Sequence, residues 1–180
     1  MNLLEFQNLS KRTMPFGGEP ANPIEFENML GNYAMGLVGE SIEAFMCYNE
    51  HELNTEEIEK ELGDVLHYAV GLFTMLKIDL PKEIVSEWTD LHSHDLHLFL
   101  LNETGRISES VKRVIYHRHE LDIDQTRKSL LFILELLASI ADDEFLNMQQ
   151  IMRTNIDKLK TRYPDKFTSE DSIKRVDTDE

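Results

Sequence analysis

The chain carries 34 acidic residues among its 180, and four of them stand at a spacing that can do chemistry. Glu40 and Glu43 are separated by i, i+3, and so are Glu61 and Asp64. On an α-helix this spacing places both carboxylates on one face about a turn apart. Two antiparallel neighbouring helices then aim all four into one space. Mg²⁺ takes oxygen ligands in near-octahedral geometry and keeps waters and substrate phosphates among them. Four carboxylates are enough to seat one or two such ions.

In so acidic a chain the same spacing also arises without purpose, as Glu56 and Glu59 show, and then marks a solvated face. Glu61 has a different setting: Ile58, Val65 and Tyr68 fall at i−3, i+4 and i+7, which puts it inside an apolar stripe. A buried carboxylate is costly unless a partner, a proton or a metal accompanies it. Gly36 and Gly39 flank Glu40 and weaken a helix unless something approaches closely. A buried salt-bridge cluster explains the same pattern, so spacing and setting alone leave both readings open.

The elements that must position these acids read as helices throughout, and the fold class is all-α. Leu3 to about Arg12 is a short amphipathic helix, ended by Met14-Pro15-Phe16-Gly17-Gly18 and a loop through Pro20 and Pro23. From about Ile24 to Tyr48, the residues Leu30, Ala34, Leu37, Val38, Ile42 and Phe45 recur at three- and four-residue steps, a helical period. Asn54 or Thr55 caps the next helix, which ends near Lys77. Leu80-Pro81 opens another through Trp88, breaking around Ser93-His94. Further helices are expected at about Leu96 to His117, Asp124 to Ala141 and Phe145 to Arg162, followed by a polar tail that drapes over the surface or frays.

A repeat is visible. His51-Glu52-Leu53 precedes one helix and His119-Glu120-Leu121 another at a constant offset, and Gly39-Glu40-Ser41-Ile42-Glu43 corresponds loosely to Asn102-Glu103-Thr104-Gly105-Arg106. Two tandem helical-hairpin repeats in a pseudo-symmetric bundle are expected: residues 1–80, residues 81–163, and a tail over 164–180, packed as one globular unit. The second copy lacks the acids. Arg106 replaces the counterpart of Glu43, and Ser129 and Phe132 stand where Glu61 and Asp64 do, so that half is expected to be metal-free.

Bulk properties exclude several classes. A formal charge of −16 argues against a nucleic-acid partner, because each phosphate contact needs a cation. Cys47 is the only cysteine. No intrachain disulfide can form, a reducing compartment is the default, and no base beside it suggests a catalytic thiol. No basic n-region with an apolar stretch opens the chain, and no window approaches the roughly 18 apolar residues of a membrane span. A cytoplasmic protein with no membrane partner is expected. His92, His94 and His97 lack the cysteines of a structural zinc site, Trp88 reads as core or interface, and the basic run Lys112 to His119 reads as an exposed helix end.

Gly36-Leu37-Val38-Gly39-Glu40-Ser41-Ile42-Glu43 and Glu61-Leu62-Gly63-Asp64-Val65-Leu66 together resemble the two metal-binding motifs of the MazG-like family, here in a tandem form with a degenerate second repeat. Asn155-Ile156-Asp157-Lys158-Leu159-Lys160-Thr161-Arg162-Tyr163-Pro164 is similar to that family's closing motif, and Phe6-Gln7 and Arg12-Thr13 fit as well. The resemblance implies an all-α, Mg²⁺-dependent nucleoside triphosphate pyrophosphohydrolase releasing a monophosphate and pyrophosphate, with Mn²⁺ able to substitute. It implies Glu40, Glu43, Glu61 and Asp64 as metal ligands, with Glu40 also the choice for general base. Asn155, Lys158, Arg162 and Tyr163 become substrate-binding residues that hold phosphate or close the pocket. Two departures stand out: Gly39 occupies the place of the first acid in the family's usual Glu-Glu pair, and His67 stands where a tryptophan is frequent, which bears on base preference. Acids from the first half and cations from the second then make one site per chain. The alternative is a catalytically inactive relative that binds nucleotides or a regulatory partner. A homodimer is compatible with either reading.

Overall fold

The computed structural model describes residues 1–49 and 54–174, and every regular element among them is helical. The helices are α1 (Leu3–Lys11), α2 (Pro23–Asn49), α3 (Thr55–Met75), α4 (Ser93–His117), α5 (Ile123–Asp143), α6 (Met148–Arg162) and α7 (Ser169–Lys174), with a 3₁₀ turn at Pro15–Gly18. Short polar side chains fix several starts. Asn2 and Glu5 form a reciprocal capping box at α1, and Asn54, Asp122 and Asn147 accept backbone N–H groups at the first turns of α3, α5 and α6.

Two hairpins, α2–α3 and α4–α5, pack through α2 on α4 and α3 on α5. Leu37, Ile58, Leu66, Leu100, Ile133 and Leu137 are among the side chains sealed between them. The register of α2 against α3 is set by two rings entering two glycines. A Cβ on Gly71 would lie 2.0 Å from the Tyr33 ring, and one on Gly36 would lie 2.3 Å from the Tyr68 ring. The pairing of 33 with 71 and 36 with 68 makes the helices antiparallel and brings residues 40 and 43 opposite 64 and 61. Gly39, by contrast, has nothing within 4 Å of its Cβ position, so only Gly36 of that pair admits a close neighbour. Helix α6 returns to the first hairpin and packs on α3 at Gly63, where a Cβ would meet the Asn155 Cβ at 3.0 Å. Helix α1 packs against both α3 and α6.

The expected helix from Pro81 through Trp88 does not form; residues 76–92 carry no helix. The topology explains why. Phe45 of α2 packs its ring against His94 and His97 near the start of α4, so the chain leaving the far end of α3 must return along the bundle. A helix of α3's 21 residues is about 31 Å long. Residues 76–92 cover about 25 Å as a helix and up to about 56 Å when extended. Only an extended path clears the distance with chain left for turns. Ser139 of α5 anchors it, accepting from the Trp88 N–H at 3.2 Å and the Ser86 hydroxyl at 3.3 Å. Trp88 lies edge-on to Phe132 and remains partly exposed, not core.

Two boundaries also shift. Helix α6 begins at Met148 rather than Phe145, because Phe145 adopts a left-handed conformation (φ 56°) after α5, is 97% exposed, and leaves Asn147 to cap. In the polar tail, residues 169–174 form α7, and Arg12 donates to the Pro164 and Asp165 carbonyls at 2.8 and 3.0 Å, tying the tail's start to the end of α1. The His51-Glu52-Leu53 element of the repeat lies outside the described residues. No described helix is long and apolar enough to cross a membrane.

Candidate metal centre

The register of α2 against α3 delivers the acids. One oxygen from each of Glu40, Glu43 and Glu61 lies within 4.8 Å of the other two. Mg–O distances of about 2.0–2.1 Å place ligand oxygens about 3 to 4 Å apart. Small rotations of these side chains, Glu43 being exposed, therefore close the set on a dication. Glu61 supplies the clearest sign of fit, because its Oε2 is buried and has no hydrogen-bond partner. The carboxyl has the neighbouring acid Glu40 for company, and crowded acids of this kind take up either a proton or a bound cation.

Asp64 stands next to this trio but is differently committed. Its carboxylate is ion-paired with the Lys158 ammonium of α6, and its second oxygen accepts from Asn155 Nδ2 at 2.6 Å. The Asp64 and Lys158 side chains are only 14% and 24% exposed. Asn155 itself is 1% exposed and lies beneath Asp64 rather than on the cleft wall. The structure therefore does not place it where a phosphate would touch it. Its role is to aim Asp64, and Gly63 lets α6 approach closely enough for it to do so.

The acids open into a cleft of about 560 Å³ whose walls include Lys158, Arg162 and the rings of Tyr33, His67, Tyr68 and Tyr163. Phe167, from the segment before α7, packs on Tyr163 with ring centroids 5.4 Å apart and also lines the cleft. Hollows of about 810 and 800 Å³ near Lys11 and Lys77 are larger. Neither gathers acids as this cleft does, so convergent chemistry rather than volume singles out the site.

Comparison with protein-family models, curated proteins and solved structures finds no match to this chain.

The electrostatics of the cleft follow from crowded, half-buried acids. Burial pushes the Glu40 carboxyl up to about 8, and the charges of Asp64, Glu43 and Glu61 add to the rise. Glu61 moves the same way, by burial first and Asp64 second, against the opposing pull of Lys158 and of a hydrogen bond with Glu40. Burial lowers the Lys158 ammonium, but the charge and hydrogen bond of Asp64 outweigh it, so the net shift is upward and Lys158 stays charged. Burial draws His67 down to about 4, which leaves it a neutral imidazole in the wall. Burial raises Tyr68 to about 12 and raises Tyr33 as well, so both rings keep their hydroxyl protons.

Of the eight residues singled out from sequence, the structure gathers seven around the cleft and sets Asn155 behind it. The aromatic wall was legible only at His67 and Tyr163. Tyr68 reads from sequence only as part of the apolar stripe around Glu61, and the glycines three residues after Tyr33 and three after Tyr68 are the signal that their rings need room. In the second hairpin, Glu103 is buried and lies 3.6 Å from Arg106. Among the described residues, no acid cluster forms there. The same holds around His92, His94 and His97.

Proposed function

We propose that this protein is a divalent-metal-dependent nucleoside triphosphate pyrophosphohydrolase, with a dNTP or non-standard NTP within its substrate class. The observation that carries the reading is the unpartnered, buried Glu61 oxygen beside Glu40 and Glu43, carboxylates brought from a second helix. Glu40, Glu43 and Glu61 would hold Mg²⁺ or Mn²⁺, with Asp64 adjoining. Bound there, the ion would neutralise phosphate charge and lower the pKa of a coordinated water.

The chain's own residues do the rest. Lys158, in contact with Asp64, and Arg162 line the same cleft as the acids and would offset charge on the departing pyrophosphate, Arg162 with its planar fork. Little covalent assistance is needed in such a transfer; charge compensation and placement of a water in line with the leaving oxygen suffice. Glu40, a carboxylate at the cleft beside the proposed cation, would orient or deprotonate that water once the ion has displaced its proton. Tyr68 and Phe167, the half-buried rings of the cleft wall, supply flat apolar surfaces of the kind on which a nucleobase stacks. The MazG-like resemblance of the three motifs points the same way.

Pyrophosphate release from a panel of nucleoside triphosphates with Mg²⁺ tests the reading. Release is expected for at least one nucleotide and is lost in Glu61→Gln and in Asp64→Asn, with helical circular dichroism unchanged. A metal-independent release, or none in the wild type, refutes it. Nucleotide binding without turnover identifies the inactive, ligand-binding alternative.

A further inference from the structure

Resting on the metal-centre reading, a more specific role follows for the Asp64–Lys158 pair. A dication that keeps waters and phosphates among its ligands needs only some of the four carboxylates at a time. Here Asp64 is engaged twice, by the Lys158 ammonium and by Asn155 Nδ2, whereas Glu61 is not held by a cation in this way: its Oε2 has no hydrogen-bond partner and its carboxyl's neighbour is the acid Glu40. The two acids sit one turn apart on α3 and face the same cleft, so the difference is made by α6.

We propose that Lys158 is an internal counter-ion that withholds Asp64 from the metal until a polyphosphate arrives to take the ammonium. In the protein without nucleotide, three carboxylates form the cation seat and Asp64 neutralises Lys158. An ammonium on a four-carbon stem keeps enough rotational freedom to move between acceptors a few ångströms apart. Phosphate oxygens entering the cleft compete for it with charge equal to or greater than that of Asp64. The carboxylate released in this way becomes available to the cation, so metal and polyphosphate bind cooperatively through one side chain. Asn155 keeps its hydrogen bond to Asp64 throughout and holds the freed carboxylate in place.

The test is Mn²⁺ binding by calorimetry to the full chain, with and without inorganic tripolyphosphate, and needs no turnover. Lys158→Met is expected to tighten Mn²⁺ binding about tenfold without tripolyphosphate, and to weaken tripolyphosphate binding to the Mn²⁺-loaded protein. This reversal of sign is the signature of the counter-ion. Asp64→Asn is expected to change Mn²⁺ affinity less than about threefold in the wild type, and to abolish the gain when added to Lys158→Met. Unchanged or weaker Mn²⁺ binding in Lys158→Met overturns the proposal, and so does an equal cost of Asp64→Asn in both backgrounds. Glu61→Gln separates this failure from failure of the site itself. If it abolishes Mn²⁺ binding while Lys158→Met does nothing, only the counter-ion role falls. If Glu61→Gln binds Mn²⁺ like the wild type, or the wild type binds none, the metal seat falls and the counter-ion role falls with it.

Discussion

Without metal, the protein should lose stability as pH rises from 6.5 to 8, and Glu40 should be the main cause. Its carboxyl stands at about 8 in the fold against 4.5 for the free group. Between those values the folded state holds a proton that the unfolded chain has released, so stability is fully present below 4.5 and falls as pH climbs through 8. His67 acts in the opposite sense. Its imidazole stands at about 4 in the fold against 6.5 when free, so stability rises with pH until 6.5 and is then complete. The two trends oppose each other below 6.5, and above it Glu40 acts without that opposition. At about 1.4 kcal/mol per pH unit, the window from 6.5 to 8 costs about 2 kcal/mol as an upper bound, and partial solvent exposure of the carboxyl reduces this to about 1–2 kcal/mol. That is a large share of the few kcal/mol separating folded from unfolded chains. Glu61, raised for the same reasons, moves in the same direction. Urea unfolding followed by circular dichroism at pH 6.5 and 8 in EDTA reads the effect. Saturating Mg²⁺ should remove it, because a dication then does what the proton did, and Glu40→Gln should flatten it in EDTA. A wild-type protein equally stable at both pH values in EDTA, or a Glu40→Gln variant that falls as steeply, refutes the reasoning.

Three substitutions probe the scaffold. Gly71→Ala forces a Cβ to 2.0 Å from the sealed Tyr33 ring, an overpacking cost of about 1–3 kcal/mol that outweighs the helix gain. Gly39→Ala meets open space and should stabilise by about 0.5–1 kcal/mol, so thermal unfolding should separate the two in opposite directions. Ser139→Ala deprives the extended return segment of its anchor; a loss of about 1–2 kcal/mol and faster hydrogen exchange at the Trp88 amide are expected. Asn155→Ala should lower kcat of the proposed reaction while leaving nucleotide KM unchanged, since Asn155 holds Asp64 and does not line the cleft. A rise in KM alone would make it a substrate contact after all.

Much of the helical architecture was legible because it is written in local signals. The period of Leu30, Ala34 and Leu37, the Asn54 cap and the i, i+3 spacing of the acids depend on neighbours only a few residues away. What could not be read depends on partners distant in sequence. Ile84, Val85 and Trp88 carry apolar residues at a spacing a helix also shows, and the need for an extended path appears only once α4 is known to start beside the end of α2. Gly36 and Gly39 looked equivalent, yet only Gly36 receives a ring from α3. Glu61 and Asp64 looked like members of one set, yet a lysine 94 residues further on claims one of them. Phe145 looked like the first apolar position of a helix, when it is instead the left-handed residue that ends the one before.

The long sequence gap between Asp64 and Lys158 has a consequence for how the molecule is made. At translation rates of about 5–20 residues per second, the acids of α2 and α3 emerge about 5 to 20 seconds before the helix that balances them. During that interval the first hairpin has no α6 to cover its Gly63 surface, and its crowded carboxylates repel one another without a compensating ammonium. A proton or a cation from the surrounding solution is then the available counter-charge, so the nascent hairpin must borrow from the solvent what the end of its own chain later provides.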